Sequence, residues 1–419
     1  MARRLLFAFL LLALFTLGCD GSGTDEPAFD PALAASLDAL LAEGTHAWSI
    51  PGAVQLARSP QGARHLSAAG VEEVSDQALA PGEPSARDLP GSGLGFLAGP
   101  GGHGPLRAFD ALPGPYPGRA MTTERIFRLC SLTKTFTATL VFMLVDEGRL
   151  ALSDTVFTHL GDVVPGGDAI TVDMLLTHYS GLYDYGRDMT FLAQVLAEPA
   201  RVWTPRELVD FAAAREPPYA PGEAYHYAST NYILLGMILE AASGQRWQDL
   251  VAERITAPLG LHIFYPDGPG LPEGASRGYM HLFGLRDVTG IDPSAGWAAG
   301  GLAGSVRDTE RWLDALLSGR LLSPASRAAM FELLPTADPE LFAGRGVFLE
   351  RGAWGHSGMV LGFQASMQDF GGWRIVVLTN ANPPGERIWQ NAAQAMNFAA
   401  AELIGTAEAA SPLAAAPPR

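Results

Sequence analysis

A chain of 419 residues with 48% hydrophobic and 17% charged residues has a globular composition, long enough to bury a large core and too apolar for disorder. The formal net charge of -16 and pI near 4.9 set a repelling surface in front of phosphates. No basic stripe is segregated from it, which excludes nucleic acid as a partner.

The amino terminus has the order of an export signal: Arg3 and Arg4, an uncharged apolar run from Leu5 to Leu17, then Gly18 and Cys19. That run is too short for a permanent membrane span. Thr16-Leu17-Gly18-Cys19 resembles a bacterial lipoprotein cleavage box. It implies a signal peptide over 1–18, a lipid on Cys19 and a tether over 19–29; ordinary secretory cleavage is the alternative. Either route gives an exported, periplasmic or cell-surface protein, and lipidation adds the membrane as a partner through the anchor. Cys130 is the one other cysteine, so a chain lipidated at Cys19 has no intramolecular disulfide.

Asp30-Pro31 reads as an N-cap and first-turn proline, and Leu33, Leu37, Leu40 and Leu41 recur at helical spacing as far as Gly44. Ala53–Arg58 and Arg64–Ala69 flank Ser59-Pro60-Gln61-Gly62, a hairpin composition. From Pro81 to Gly118, 18 of 38 residues are Gly or Pro, which marks a surface insertion over about 78–120 with neither helix nor ladder.

Ser131 to Gly148 reads as a mostly buried helix, and further helices are expected over 205–215, 231–243, 247–257 and 308–318. Gly362–Phe370 and Trp373–Asn380 read as paired strands across Gly371-Gly372, before a helix from about Glu386 to Leu403 and a disordered tail over 407–419. Strands at both ends and helices between them predict an α/β (α+β) fold: an antiparallel sheet flanked by terminal helices, with a mostly helical domain inserted. The expected sheet domain takes 30–145 and 297–406, and the helical domain 146–296.

Ser131-Leu132-Thr133-Lys134 carries the chemistry. A serine hydroxyl is a weak nucleophile that needs a base in hydrogen-bond reach and a group to stabilise an oxyanion. On a helix, positions i and i+3 share a face, which sets the Lys134 amine beside Ser131. S-x-x-K arises by chance about once in a chain this long. Lys134, however, is the only lysine, against 27 arginines. A chain that uses arginine wherever a surface cation suffices has kept an amine here, and an amine can lose its proton where guanidinium cannot. The bland reading, a solvated helix lysine, is the weaker one.

Two later segments complete the set. Tyr227, in Tyr225-His226-Tyr227-Ala228-Ser229, offers a phenol that can share a proton with Lys134, although alone it reads equally as a partly buried aromatic. Trp354-Gly355-His356-Ser357-Gly358-Met359 leads into a strand whose edge can offer a backbone N–H to an oxyanion. His356 alone is as consistent with structure as with a site.

At these three segments the chain resembles the serine β-lactamase and penicillin-recognising superfamily. Within it, the resemblance is to the class C branch, with its D-alanyl-D-alanine carboxypeptidases, D-aminopeptidases and β-lactamase-like esterases. Arg128 to Thr137 looks like the nucleophile motif, Tyr227-Ala228-Ser229 stands at the place of Y-x-N, and His356-Ser357-Gly358 matches K-T-G or H-x-G. Leu175 to Leu182 and Ala299 to Leu302 are supporting pieces without chemistry. The resemblance implies a β-lactamase/transpeptidase-like fold and an acyl-enzyme on Ser131. It further implies proton exchange by Lys134 and Tyr227, an oxyanion hole from the N–H groups of Ser131 and Met359, and substrate contacts from Ser229, His356, Ser357 and Gly358. It implies no metal and no cofactor.

Ser229 in place of asparagine removes an amide that both donates and accepts, and His356 in place of lysine removes a permanent cation. Both departures favour a simple ester over an acylated peptide or β-lactam, so the expected activity is an esterase-type acyl hydrolase on a small ester, amide or peptide-like substrate. The alternatives are a β-lactamase, a D-alanyl-D-alanine carboxypeptidase or D-aminopeptidase, and a non-catalytic binding protein that keeps the fold. Gly355-His356-Ser357-Gly358 is no nucleophile elbow, since Met359 stands where G-x-S-x-G needs glycine, and no H-E-x-x-H occurs.

Overall fold

The computed structural model describes residues 27–79 and 115–410, apart from 283, 386, 388 and 389. The expected signal peptide, Cys19, most of the tether and most of the Gly/Pro-rich insertion lie outside the described residues. No helix among the described residues is long and apolar enough to cross a membrane.

The opening helix α1 (Pro31–Ala47) starts as its sequence dictates, with the Asp30 carboxylate accepting from Leu33 N at 2.7 Å. It runs past Gly44, which the sequence marked as its end. Gly44 faces the carboxy-terminal helix, where a Cβ would stand 2.4 Å from Met396 Sδ, so this glycine permits a close helix crossing rather than stopping a helix.

A nine-stranded sheet forms the centre. In chain order its strands are β1 (Gly52–Arg58), β2 (Arg64–Val74), β3 (Gly118–Ala120), β4 (Leu334–Pro335), β5 (Leu341–Ala343), β6 (Phe348–Glu350), β7 (Ala353–Val360), β8 (Phe363–Phe370) and β9 (Trp373–Thr379). Their spatial order is 3-2-1-9-8-7-6-5-4, antiparallel at every pairing. The two ends of the chain meet where β1 pairs β9, with Val54 opposite Leu378 and Leu56 opposite Val376. β3 corrects the insertion's boundary: Gly118 sits so close to Glu73 O that only glycine fits, and there the Gly/Pro-rich stretch enters the ladder instead of avoiding it.

Strand alternation explains why Arg374-Ile375-Val376-Val377-Leu378 is apolar on both faces. Ile375 and Val377, with Ala53 and Ala57, pack under α1 and the last helix; Val376 and Leu378, with Val54 and Leu56, enter the larger core on the other side. The last helix spans Ala392–Ala410, so it begins after the expected Glu386 and carries through residues expected to be disordered. Alanines at 409 and 410 are strong helix formers, and they extend it.

The larger core surrounds helix α2 (Thr133–Asp146), which follows a 3₁₀ turn over Cys130–Leu132. Residues Thr133 to Phe142 are all buried, although four of them are threonines at alternate positions from 133 to 139, the last donating to Thr135 O at 2.8 Å. Each hydroxyl is used. Thr133 accepts from Leu302 N, Thr135 donates to Leu132 O while Trp312 Nε1 donates to it, and Thr137 donates to Ala298 O while Trp247 Nε1 donates to it. Phe136 stacks on Trp312 with ring centroids 4.0 Å apart. Helix α3 (Ser229–Ser243) lies beside α2, and the expected helix at 247–257 contains a π turn over Ala252–Thr256. This packing fixes the amino-terminal end of α2 against the edge of β7.

Candidate active site

Ser131 sits in the 3₁₀ turn immediately before α2, and Cys130 ahead of it has φ 54°, a left-handed conformation that non-glycine residues rarely adopt. The strained turn is held from both sides. Leu129 N donates to Leu302 O at 2.8 Å, and the buried Cys130 packs its Sγ near the carbonyls of Arg128 and Phe363. Burial pushes the Cys130 thiol up to about 12, so it is a packing residue and no thiolate.

One turn on, Lys134 Nζ donates to Ser131 Oγ at 3.0 Å and to the Ala299 carbonyl at 2.8 Å. Its side chain is fully buried, and among the described residues no carboxylate pairs with it. The other neighbours are aromatic, with Nζ 5.1 Å from the Tyr227 ring centroid and 5.6 Å from that of Tyr232. Tyr227 thus meets Lys134 through its ring. No hydrogen bond joins the two side chains among the described residues.

Tyr227 lies in the loop that enters α3, where Ala228 is the N-cap and has no capping side chain. Asp184 supplies what the cap lacks, its Oδ1 accepting from Ser229 N at 2.9 Å and from Gly186 N at 3.1 Å. The opposite wall is β7. Past Gly355, the last residue paired with β6, β7 has β8 on one side and no strand on the other among the described residues. Gly358 lies directly against the nucleophile: a Cβ there would be 2.4 Å from Ser131 N and 2.7 Å from Cys130 Cβ.

A cleft of about 710 Å³, counted to its open mouth, starts at Ser131. Ser229 and Met359 line it near the hydroxyl; Phe191, Leu192, Val195 and Ile291 line it further in. Arg128 and Asp292 border it as well, both nearly fully buried, and Asp292 Oδ2 has no hydrogen-bond partner among the described residues. The cleft therefore suits an apolar group with one polar attachment point.

Of the expected site residues, Ser131, Ser229 and Met359 line the cleft, while Lys134, Tyr227 and Gly358 stand behind the nucleophile. His356 is only 3% exposed and does not line the cleft, and neither does Ser357. Nδ1 of His356 contacts Ser357 O at 2.5 Å, and its ring packs on Phe348. Burial, with the Lys134 charge adding to it, pushes the His356 imidazole down to about 3, so it is neutral at ordinary pH.

Three participants were not read as such from the sequence: Asp184, Asp292 and the carbonyl of Ala299. Ala299 falls in a segment noted there only as a supporting piece, and it acts through a backbone oxygen, which no motif of side-chain types announces.

The Beta-lactamase family model matches residues 113–397. Penicillin-binding protein 4 from Amycolatopsis lactamdurans is 35% identical over 189 residues, 42% of this chain and 44% of that protein. The D-alanyl-D-alanine-carboxypeptidase/endopeptidase AmpH from Escherichia coli (strain K12) is 27% identical over 55% of this chain and 60% of its own. The chain spans about half the length of the curated relatives it matches. Among solved structures, a D-stereospecific amidohydrolase from Streptomyces sp. superposes with TM-score 0.68 at 29% identity, over 85% of this chain and 97% of that one. A D-amino acid amidase from Ochrobactrum anthropi SV3 has the same fold, with TM-score 0.71 at 23% identity over 90% and 99% of the two chains. The match over more than half its length shows that this chain belongs to the Beta-lactamase family, in the class C-like superfamily of serine hydrolases and penicillin-binding proteins.

Proposed function

We propose that this protein is a serine hydrolase that forms a covalent acyl-enzyme on Ser131 and releases it to water, acting on small esters or amides with an apolar acyl group. The observation that carries the reading is the 3.0 Å contact between Lys134 Nζ and Ser131 Oγ, inside a packed core and at the head of an apolar cleft. In acylation the Lys134 amine takes the Ser131 proton as Oγ attacks the carbonyl carbon. The proton passes to the departing alcohol or amine, with Tyr227 sharing the transfer. In deacylation the same groups take a proton from water as its oxygen attacks the ester carbon, and return it to Ser131 Oγ as the acid leaves.

The oxyanion hole in this reading comes from Ser131 N–H and Met359 N–H. Two features support it. The two-residue turn at Leu361-Gly362 makes Val360 and Phe363 a hydrogen-bonded pair, so ladder alternation turns the Met359 N–H away from β8, toward the open edge. Gly358 brings that edge into contact with Ser131 N.

Ser229 supports esters over acylated peptides, since a hydroxyl lacks the dual amide of the family's asparagine. A second reading, an amidase acting on amino-acid amides, is favoured by Asp292, whose buried and unpartnered Oδ2 is a natural seat for an ammonium group. The 29% identity with the Streptomyces amidohydrolase points the same way. Parallel assays with a short-chain nitrophenyl ester, a D-amino acid amide, a D-Ala-D-Ala peptide and a chromogenic cephalosporin separate the readings. Ester turnover far above the others supports the first; absence of ester turnover at every pH removes it.

For the amino-terminal segment, the reading remains export with a lipid on Cys19, tested by intact mass of the membrane-extracted protein.

A further inference from the structure

His178 carries an unusual set of features for a residue with no role assigned so far. It is 1% exposed, its φ of 62° is left-handed, and its Nε2 has no hydrogen-bond partner among the described residues. Strain and an unmatched polar atom are both retained at one position, a combination that collects where geometry serves function.

Its closest ring contact and two of its hydrogen bonds converge on the loop that holds Tyr227. The carbonyl of His178 accepts from His226 N at 2.8 Å, and its Nδ1 accepts from Ala228 N at 3.2 Å. The residues on either side of Tyr227 are therefore both tied to His178. Between those two ties the imidazole stacks on the phenol ring itself, centroids 4.3 Å apart and planes 26° from parallel. Asn231 Nδ2 also points at Nδ1, at 3.1 Å, while Asn231 Oδ1 accepts from Ser180 Oγ at 2.6 Å and so fixes the amide's orientation. Two donors meeting at Nδ1 leave no place for a proton there, so the ring is the neutral Nε2–H tautomer. Burial, with the Lys134 charge next in order, also holds this imidazole well below its usual range.

We propose that His178 is the positioning residue of Tyr227: a neutral imidazole platform that sets the plane of the phenol against Lys134 and holds both flanking backbone groups, so that the proton transfer runs at its full rate. The proposal rests on the acyl-enzyme reading above. Lys134 lies within 5.1 Å of the Tyr227 ring centroid, with the His178 ring stacked on that same phenol. A neutral platform adds no charge of its own beside the phenol, and tilting the ring changes where its hydroxyl points without touching the substrate cleft, which His178 does not line.

The ring and the acceptor can be separated by substitution. His178→Phe keeps a stacking surface and removes the acceptor; His178→Asn keeps an acceptor near the Nδ1 position and removes the ring. Turnover of a nitrophenyl ester is measured per Ser131 titrated with a fluorophosphonate, so that unfolded molecules do not count. Each variant is expected to lower kcat at least tenfold while KM stays within about twofold. An activity-free arm uses protein carrying ¹³C-labelled tyrosine, with the Tyr227 ring signals assigned by Tyr227→Phe. Those signals are expected to move in His178→Asn as the stacked ring is lost. Unchanged kcat per titrated site in both variants, or an unmoved Tyr227 signal in His178→Asn, overturns the proposal. Failure of the wild-type protein to react with the fluorophosphonate instead removes the acyl-enzyme reading, while the NMR arm still decides whether His178 positions Tyr227. If His178→Phe does not fold, His178→Asn decides both arms.

Discussion

Gly358 lies so close beneath Ser131 that a methyl group on its Cα would stand 2.4 Å from the Ser131 backbone nitrogen. The neighbour is backbone inside a packed turn, with Cys130 Cβ also within 2.7 Å, so neither side can give way cheaply. Gly358→Ala is expected to push Ser131 off the strand edge, lowering kcat for an ester by tenfold or more. Overpacking of this kind costs about 1–3 kcal/mol, which a thermal or urea melt would register. Wild-type turnover in this variant would mean that the β7 edge takes no part in the chemistry.

Lys134 is tied to two oxygens of different kinds, the Ser131 hydroxyl and the Ala299 carbonyl. The carbonyl orients the amine, and only an amine can then exchange a proton with the hydroxyl. Lys134→Arg keeps the charge and is expected to lower kcat by about 10²–10⁴-fold, the usual worth of a positioned base. Near-normal turnover in Lys134→Arg would make Lys134 structural.

His178 and His356 are both buried in neutral form near Lys134, with His356 held down to about 3 against 6.5 for a free imidazole. Between those values the unfolded chain binds protons that the folded one refuses, so stability rises with pH over that window and is lost as pH falls from 6.5 toward 3. His226 and His281, also shifted down by burial, act in the same direction. A melting temperature that declines steadily from pH 7 to pH 4 is expected, with a shallower decline in His356→Gln. An equal slope in that variant would place the titration elsewhere.

Ser229 N is anchored on Asp184 while its side chain faces the cleft. Ser229→Asn restores a longer group that donates and accepts, and one added hydrogen bond to an amide substrate is worth about 0.5–1.5 kcal/mol. The amide-to-ester ratio of kcat/KM is therefore expected to rise roughly two- to tenfold. A ratio that does not move would remove Ser229 as the source of ester preference.

Much of this arrangement was legible in the sequence because it depends on local periodicity. The Asp30 cap, the hairpin around Ser59-Pro60 and the apolar run Ile375 to Leu378 of β9 each follow from spacing and turn chemistry, and the contact of Lys134 with Ser131 follows from one helical turn. What was not legible depends on tertiary contact. Gly44 looks like a helix stop until Met396 is seen packed against it, and Gly118 looks like a breaker until Glu73 is seen beside it. His178 is one aromatic among many in the sequence; only the fold shows its ring against Tyr227 and its Nδ1 under the next residue's N–H.

The central claim is a covalent ester on one hydroxyl activated by one amine. Intact-protein mass spectrometry after a fluorophosphonate or a slowly released ester substrate tests it most directly. A single adduct mapped to Ser131, absent in Ser131→Ala and formed at least a hundredfold more slowly in Lys134→Arg, is the predicted result. An adduct on another residue, or one that forms equally fast without the Lys134 amine, would contradict the account.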